Sequence, residues 1–154
     1  MKSYIFKLSL VILSCFLLVK CFTIQSLDIN SGALSEFSRG IANDWWVLFL
    51  IAQTIIIFKL PIDSKASEAL MYTSILSLII VAATANSLTH NVSAVIFFIA
   101  HSALIATISG TRMAANILII SLGSFLISNG YALFEIVYFS LSLFHNLNLK
   151  QNAE

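Results

Sequence analysis

Polar links of three or four residues, with Thr89–Asn91, Gly110–Arg112 and Ser128–Gly130 at their centres, are all that separates the last four apolar stretches of this chain. Links this short force the helices they join to lie antiparallel and in contact. The apolar stretches read as helices over Tyr4–Val19, Trp45–Ile62, Ala69–Leu88, Val92–Ile108, Met113–Ile127 and Tyr131–Leu147. A membrane span needs ~17–25 residues, so these are short helices of about spanning length. Composition points the same way. The chain is 59% hydrophobic and only 10% charged, with a mean hydropathy of +0.97, whereas soluble domains run near ~45–50% apolar and ~25% charged. The expected fold is all-α: a polytopic transmembrane helical bundle of about six spans.

Basic residues set the expected orientation. With the N-terminus in the cytoplasm, Lys2, Lys7, Lys59, Lys65, Arg112 and Lys150 fall inside, and Lys20 and Arg39 outside. That asymmetry follows the positive-inside rule and predicts both termini cytoplasmic, in the inner membrane. The chain then divides into an N-terminal anchor helix over 1–22, an extracytoplasmic loop over 23–44, a five-helix bundle over 45–148 and a cytoplasmic tail over 149–154. Lys20-Cys21-Phe22 makes a poor cleavage site, so the first segment reads as retained rather than as a removed signal. The 23–44 loop is expected to hold a short interfacial helix, and Trp45 and Trp46 to anchor at the membrane boundary.

Several chemistries have no support. Net charge is +1, which offers nucleic acid no basic field, and no glycine-rich phosphate loop is present. Cys15 and Cys21 lack metal-knuckle spacing and read as reduced apolar residues. His90, His101 and His145 lack zinc-motif spacing. Neither a metal nor another cofactor is expected.

The strongest site signal is a polar stripe inside the last apolar run. Ser128, Tyr131, Glu135, Tyr138, Ser142 and His145 recur at alternating spacings of 3 and 4 residues, which stacks them on one helix face. A carboxyl group in hydrocarbon costs several kcal/mol unless protonated, paired or wet, so this face should meet protein or a polar cavity. Glu135 is expected ~7–8 Å along the helix from the Gly130 turn, at 1.5 Å per residue. It reads either as a general acid, proton carrier or ion ligand, or as a structural carboxyl. His101, near the middle of span four, reads as a catalytic partner or as an interhelical hydrogen bond. Tyr138, one turn from Glu135, reads either as ordering it or as simply packing. Asn86, Asn129 and Tyr131 complete a polar cluster at the outer ends of their spans. His145 reads as interfacial. The many span hydroxyls read as packing glue, with Ser121, Ser124 and Ser128 on one close-packed face beside Gly123.

Two stretches resemble the lysoplasmalogenase-like (YhhN-type) membrane family. Ala85-Asn86-Ser87-Leu88, followed by Ala94-Val95-Ile96-Phe97-Phe98-Ile99-Ala100-His101, is similar to that family's Gly-Asp pair and Phe-rich, histidine-bearing span. Gly123 to Leu133 is similar to its Gly-Ala-x-x-Phe-x-x-Ser-Asp segment, and Lys59-Leu60-Pro61 to a Lys-Pro at an earlier span entry. The chain departs from the pattern where Asn86 and Asn129 stand in place of aspartates and Leu104 in place of a tyrosine. Amides cannot act as general acids. The resemblance implies a hydrolase of vinyl-ether lysolipids, with Glu135 donating the proton and His101 or Tyr138 positioning it or water. Membrane lipids are then the expected partners. Two other readings stand beside it: a non-catalytic subunit whose stripe receives a partner's transmembrane helix, and a small proton or cation carrier using Glu135.

Overall fold

A computed structural model describes residues 2–29, 32–84, 87–128 and 130–149, the side chains of Lys2 and Ser3 excepted. The described residues are helical, with no strand: α1 (Lys2–Ile24), a 3-10 helix (Leu34–Arg39), α2 (Asn43–Phe58), α3 (Lys65–Ala83), α4 (Leu88–Ser109), α5 (Thr111–Ser128) and α6 (Tyr131–Asn148). Four of them, α1, α3, α4 and α5, are long and apolar enough to cross a membrane, while α2 is a shorter apolar helix. Their outward faces carry exposed Ile12, Phe16, Ile51, Leu76, Ile99 and Ile119, among others. Helices apolar on both the core and the outer face are what lipid, rather than water, accommodates. The arrangement is compatible with a multi-pass membrane protein.

Local chemistry moves several boundaries from their expected places. α2 stops four residues before Ile62, because Pro61 disfavours helical backbone in the residue preceding it. α3 extends back from Ala69 to Lys65, the helix start that Ser64–Glu68 suggests in sequence, with Ser64 Oγ accepting the Ser67 N–H at 3.1 Å as the cap of the first turn. The expected Thr89–Asn91 link is instead the first turn of α4, begun by Ser87 Oγ accepting the His90 N–H at 3.1 Å. The link between α4 and α5 shrinks to Gly110, whose φ of 88° suits glycine because it has no Cβ to clash. Gly110→Ala meets open space, so its penalty is backbone strain alone. The expected loss is ~1–3 kcal/mol, read as a lower unfolding midpoint of the purified protein.

Each helix packs on the next, and α1 returns to α6, closing a ring. Rings from three helices fill its centre: Phe49 of α2, Phe97 and Phe98 of α4, and Tyr138 and Phe139 of α6, with centroid separations of 4.9–6.5 Å. The hydrogen bonds Ser102–Tyr138 and Ser109–His145 join α4 to α6 at the same sequence offset of 36 residues. A constant offset means that α4 and α6 run parallel, as alternation across α5 requires. The seven-residue step between the two bonds keeps both on the facing seam.

The hydroxyls behave differently from the packing glue expected of them. Thr54, Thr73, Ser74, Thr84, Ser121 and Ser128 donate to carbonyls four residues earlier in their own helices, at 2.6–3.1 Å. Back-bonding of this kind satisfies a hydroxyl without a neighbouring helix. Ser121 and Ser128 are buried and Ser124 is half-buried, but a Cβ at Gly123 would meet nothing. Trp46 is not an interface anchor. It is 3% exposed, stacked on Phe49 at 5.4 Å and covered by Phe37 of the 3-10 helix at 6.2 Å. The folded linker, invisible to a residue-by-residue reading, turns a boundary tryptophan into core.

Candidate functional site

Residues 32–42 of the linker between α1 and α2 fold down onto the start of α6. The Ala132 N–H donates to the Gly32 carbonyl at 2.8 Å. A Cβ on Gly32 would lie within 3.0 Å of Asp28 O, Leu27 Cδ1 and Glu36 Oε1, so this close approach requires glycine. Two carboxylates then serve the first N–H groups of the 3-10 helix. Glu36 Oε1 accepts from Ala33 at 3.1 Å, and Glu135 Oε2 accepts from Leu34 at 2.6 Å. Helix N-termini leave such donors unsatisfied and favour negative charge. Glu135 is thus a cap supplied across 101 residues of sequence.

Beside this cap lies a cleft of about 440 Å³ between the linker, α4 and α6. Its lining mixes polar residues, Ser35, His90, Asn91, Tyr131 and Glu135, with apolar ones, Ala94, Val95, Phe98, Ile99 and Phe134. His90 and Glu135 sit in the first two turns of parallel helices, at the end of the ring that the linker covers. His90 Nδ1 bonds the Thr84 carbonyl. A carbonyl only accepts, so Nδ1 carries a proton, and the tautomer that remains when the ring is neutral presents its acceptor at Nε2.

His101 and Tyr138 form a second, separate cluster in the aromatic centre. The Tyr138 hydroxyl has Ser102 Oγ at 2.9 Å and His101 Nδ1 at 3.2 Å, with all three side chains buried. The His101 ring stacks on Phe97 at 5.3 Å, and its Nε2 has no partner among the described residues. Neither His101 nor Tyr138 lines the Glu135 cleft. Of the two readings of Tyr138 the structure favours packing: the tyrosine points into the seam with α4 while Glu135 bonds the linker. His145 is 8% exposed and bonded to Ser109 at 2.8 Å, so it is a seam residue rather than an interfacial one. Tyr131 is exposed at the cleft and packs on Phe125 at 5.1 Å. Asn86 and Asn129 lie outside the described residues.

No protein-family model matches the chain, and neither a curated protein nor a solved structure does.

His90 is legible from sequence as a polar residue at an outer span end, as Glu135 is, though not as a site residue; Ser35 and Asn91 are the residues missed. Ser35 gave no signal, because its place depends on the linker folding back. No group of three or more potential metal-ligating side chains occurs among the described residues.

Proposed function

We propose that the protein is a multi-pass membrane protein that binds a single-chain amphiphilic lipid in the cleft at Glu135 and hydrolyses its vinyl-ether bond. One observation carries the reading: a cleft of about 440 Å³ lined both by polar residues, Glu135 and His90 included, and by apolar residues of α4 and α6. An amphiphile needs both kinds of lining, and ligand sites are typically ~300–1,000 Å³. The resemblance to lysoplasmalogenase-like proteins supplies the bond.

In this reading the Glu135 oxygen not held by Leu34 carries the proton. It protonates the enol-ether carbon distal to oxygen. Water adds to the resulting oxocarbenium carbon and gives its proton to His90 Nε2. The hemiacetal collapses to an aldehyde and the glyceryl alcohol, and the proton returns to Glu135. His90 takes the role that sequence gave to His101, since it borders the cleft and His101 does not. Below the cleft, Phe97, Phe98, Phe134, Tyr138 and Phe139 pack ring on ring. That packing offers a cation no polar route and weighs against the carrier reading. Tyr138, Ser142 and His145 are buried within the chain itself, which leaves little of the stripe for a partner's helix.

The proposed orientation, six spans with both termini cytoplasmic, is tested by labelling. Cysteine at exposed Arg39 is expected to react with an impermeant reagent in intact cells, and cysteine at exposed Lys65 is not. The reverse pattern overturns it. The chemistry is tested by aldehyde release from a lysoplasmalogen by detergent-purified protein. Glu135→Gln and His90→Gln are each expected to lower the rate by ~10²–10⁴, the usual worth of a general acid or base. No aldehyde from the unaltered protein ends the hydrolase reading. Full activity in Glu135→Gln would make the carboxyl a structural cap alone.

A further inference from the structure

Farther along α4 than the Glu135 cleft lies a second hollow, between α4 and α5. It measures about 410 Å³ and is bordered by Ser102, Ala103 and Ala106 of α4 and by Thr111, Ala114 and Ala115 of α5, among others. Phe98 and Ile99 border both the cleft and this groove, so the two adjoin. The cleft follows α4 from His90 to Ile99 and the groove from Phe98 to Ala106. Together they track about 24 Å of helix, at 1.5 Å per residue. The groove exists because alanine stands at Ala103, Ala106, Ala114 and Ala115, whereas the outward surface of α5 elsewhere carries exposed Ile119, Ile120, Leu122 and Leu126. Small side chains leave the space between α4 and α5 unfilled.

The groove suits hydrocarbon and little else. Ser102 Oγ is engaged with the Tyr138 hydroxyl at 2.9 Å, which leaves Thr111, at the far end, as the other hydroxyl of the lining. A polar ligand would find its hydrogen bonds unmet along these alanines. A hydrocarbon chain gains the dispersion contacts that an unfilled hollow forfeits. We propose that the α4–α5 groove is the chain site of the single-chain lipid whose polar end lies in the Glu135 cleft. The inference rests on the reading of that cleft as an amphiphile site, not on any bond being cleaved there. The chain passes Phe98 and Ile99 and ends near Thr111. Cleft and groove thus divide α4, which runs from Leu88 to Ser109, into a first half for the polar end and a second half for the chain. An ordinary lipid of the same leaflet ends near the bilayer midplane, ~15 Å into a ~30 Å core. Only a lipid seated in the groove carries its chain end down to Ala106 and Ala115, and a bulky residue at Ala115 would stop it short.

The experiment is photo-crosslinking of the full chain in phosphatidylcholine vesicles. The probe is a lysophosphatidylcholine whose saturated, ether-linked chain carries a diazirine at its far end. Peptide mapping is expected to place the label on residues 103–118, and excess unlabelled lysophosphatidylcholine to remove it. Ala115→Leu, at an exposed position that tolerates size, is expected to lower that label about 10-fold, the worth of one overpacking clash. It should leave unchanged the label from a second probe whose diazirine sits beside the ether. Ile120→Phe, which adds bulk to α5 off the groove, should change neither. Label spread evenly over α1, α3 and α5, or label unmoved by Ala115→Leu or by unlabelled lysolipid, overturns the site in favour of bulk lipid alone. A disulfide that joins two copies of Ala115→Cys in vesicles and blocks labelling gives the groove to a second copy and also overturns it. The probe has no vinyl-ether bond, so the two readings fail separately. Groove labelling without aldehyde release ends the hydrolase reading and keeps the chain site, whereas aldehyde release with evenly spread label does the reverse.

Discussion

Glu135→Leu is expected to detach the 3-10 helix from α6, whereas Glu135→Gln is expected to leave it docked. The Leu34 N–H sits on a residue with no exposed surface, and Glu135 Oε2 at 2.6 Å is its acceptor. Leucine removes the acceptor and leaves a buried donor unpaired, at ~1–3 kcal/mol. Glutamine retains a carbonyl oxygen at the same reach. The loss spreads, because the linker also covers Trp46 through Phe37. The measurements are limited proteolysis at exposed Arg39 and the intrinsic fluorescence of the two tryptophans. The leucine variant should be cut faster and emit at longer wavelength, while the glutamine variant matches the unaltered protein. Equal resistance in both would mean that the carboxylate contributes nothing to docking. With aldehyde release as a second readout, the pair separates the cap from the chemistry: glutamine keeps the first and loses the second.

How much of this was legible in the sequence depends on how local the cause was. The six helices were legible, because apolar runs and short links are local signals. So was the α6 stripe, since helical periodicity fixes which residues share a face. Its division was not. Glu135 and Tyr138 are one turn apart, yet one meets a backbone N–H from the linker and the other a histidine and a serine on α4. Only the three-dimensional path of residues 32–39 distinguishes the two fates. The same path buries Trp46, brings Ser35 to the cleft and gives Glu135 its partner. The shift of His90 from a link into α4 had a readable cause, the Ser87 cap, overlooked because Thr89-His90-Asn91 is itself a polar triplet.

Tyr138→Ala is expected to be the most destabilising single change in the bundle. The side chain has no exposed surface and sits among Phe97, Phe98, His101, Phe134 and Phe139, at centroid distances of 4.9–6.5 Å. Truncating a buried ring costs ~3–5 kcal/mol. The alanine also leaves Ser102 Oγ and His101 Nδ1 without their shared partner, at ~1–3 kcal/mol for each buried group stranded. Tyr138→Phe isolates the second effect, because it keeps the ring and loses only the hydroxyl, so a drop of ~1–3 kcal/mol is expected. Reversibility decides what the cluster is for. Removing every polar member of a buried network together can be nearly neutral, because no group is left waiting for a partner. The combination Tyr138→Phe, His101→Phe, Ser102→Ala should therefore recover most of the stability lost by Tyr138→Phe alone, as read by unfolding midpoints in one detergent. It should also keep any lipid hydrolysis the unaltered protein performs, since none of the three lines the Glu135 cleft. Recovered stability with abolished hydrolysis would instead return His101 and Tyr138 to the chemistry and make the two clusters one site.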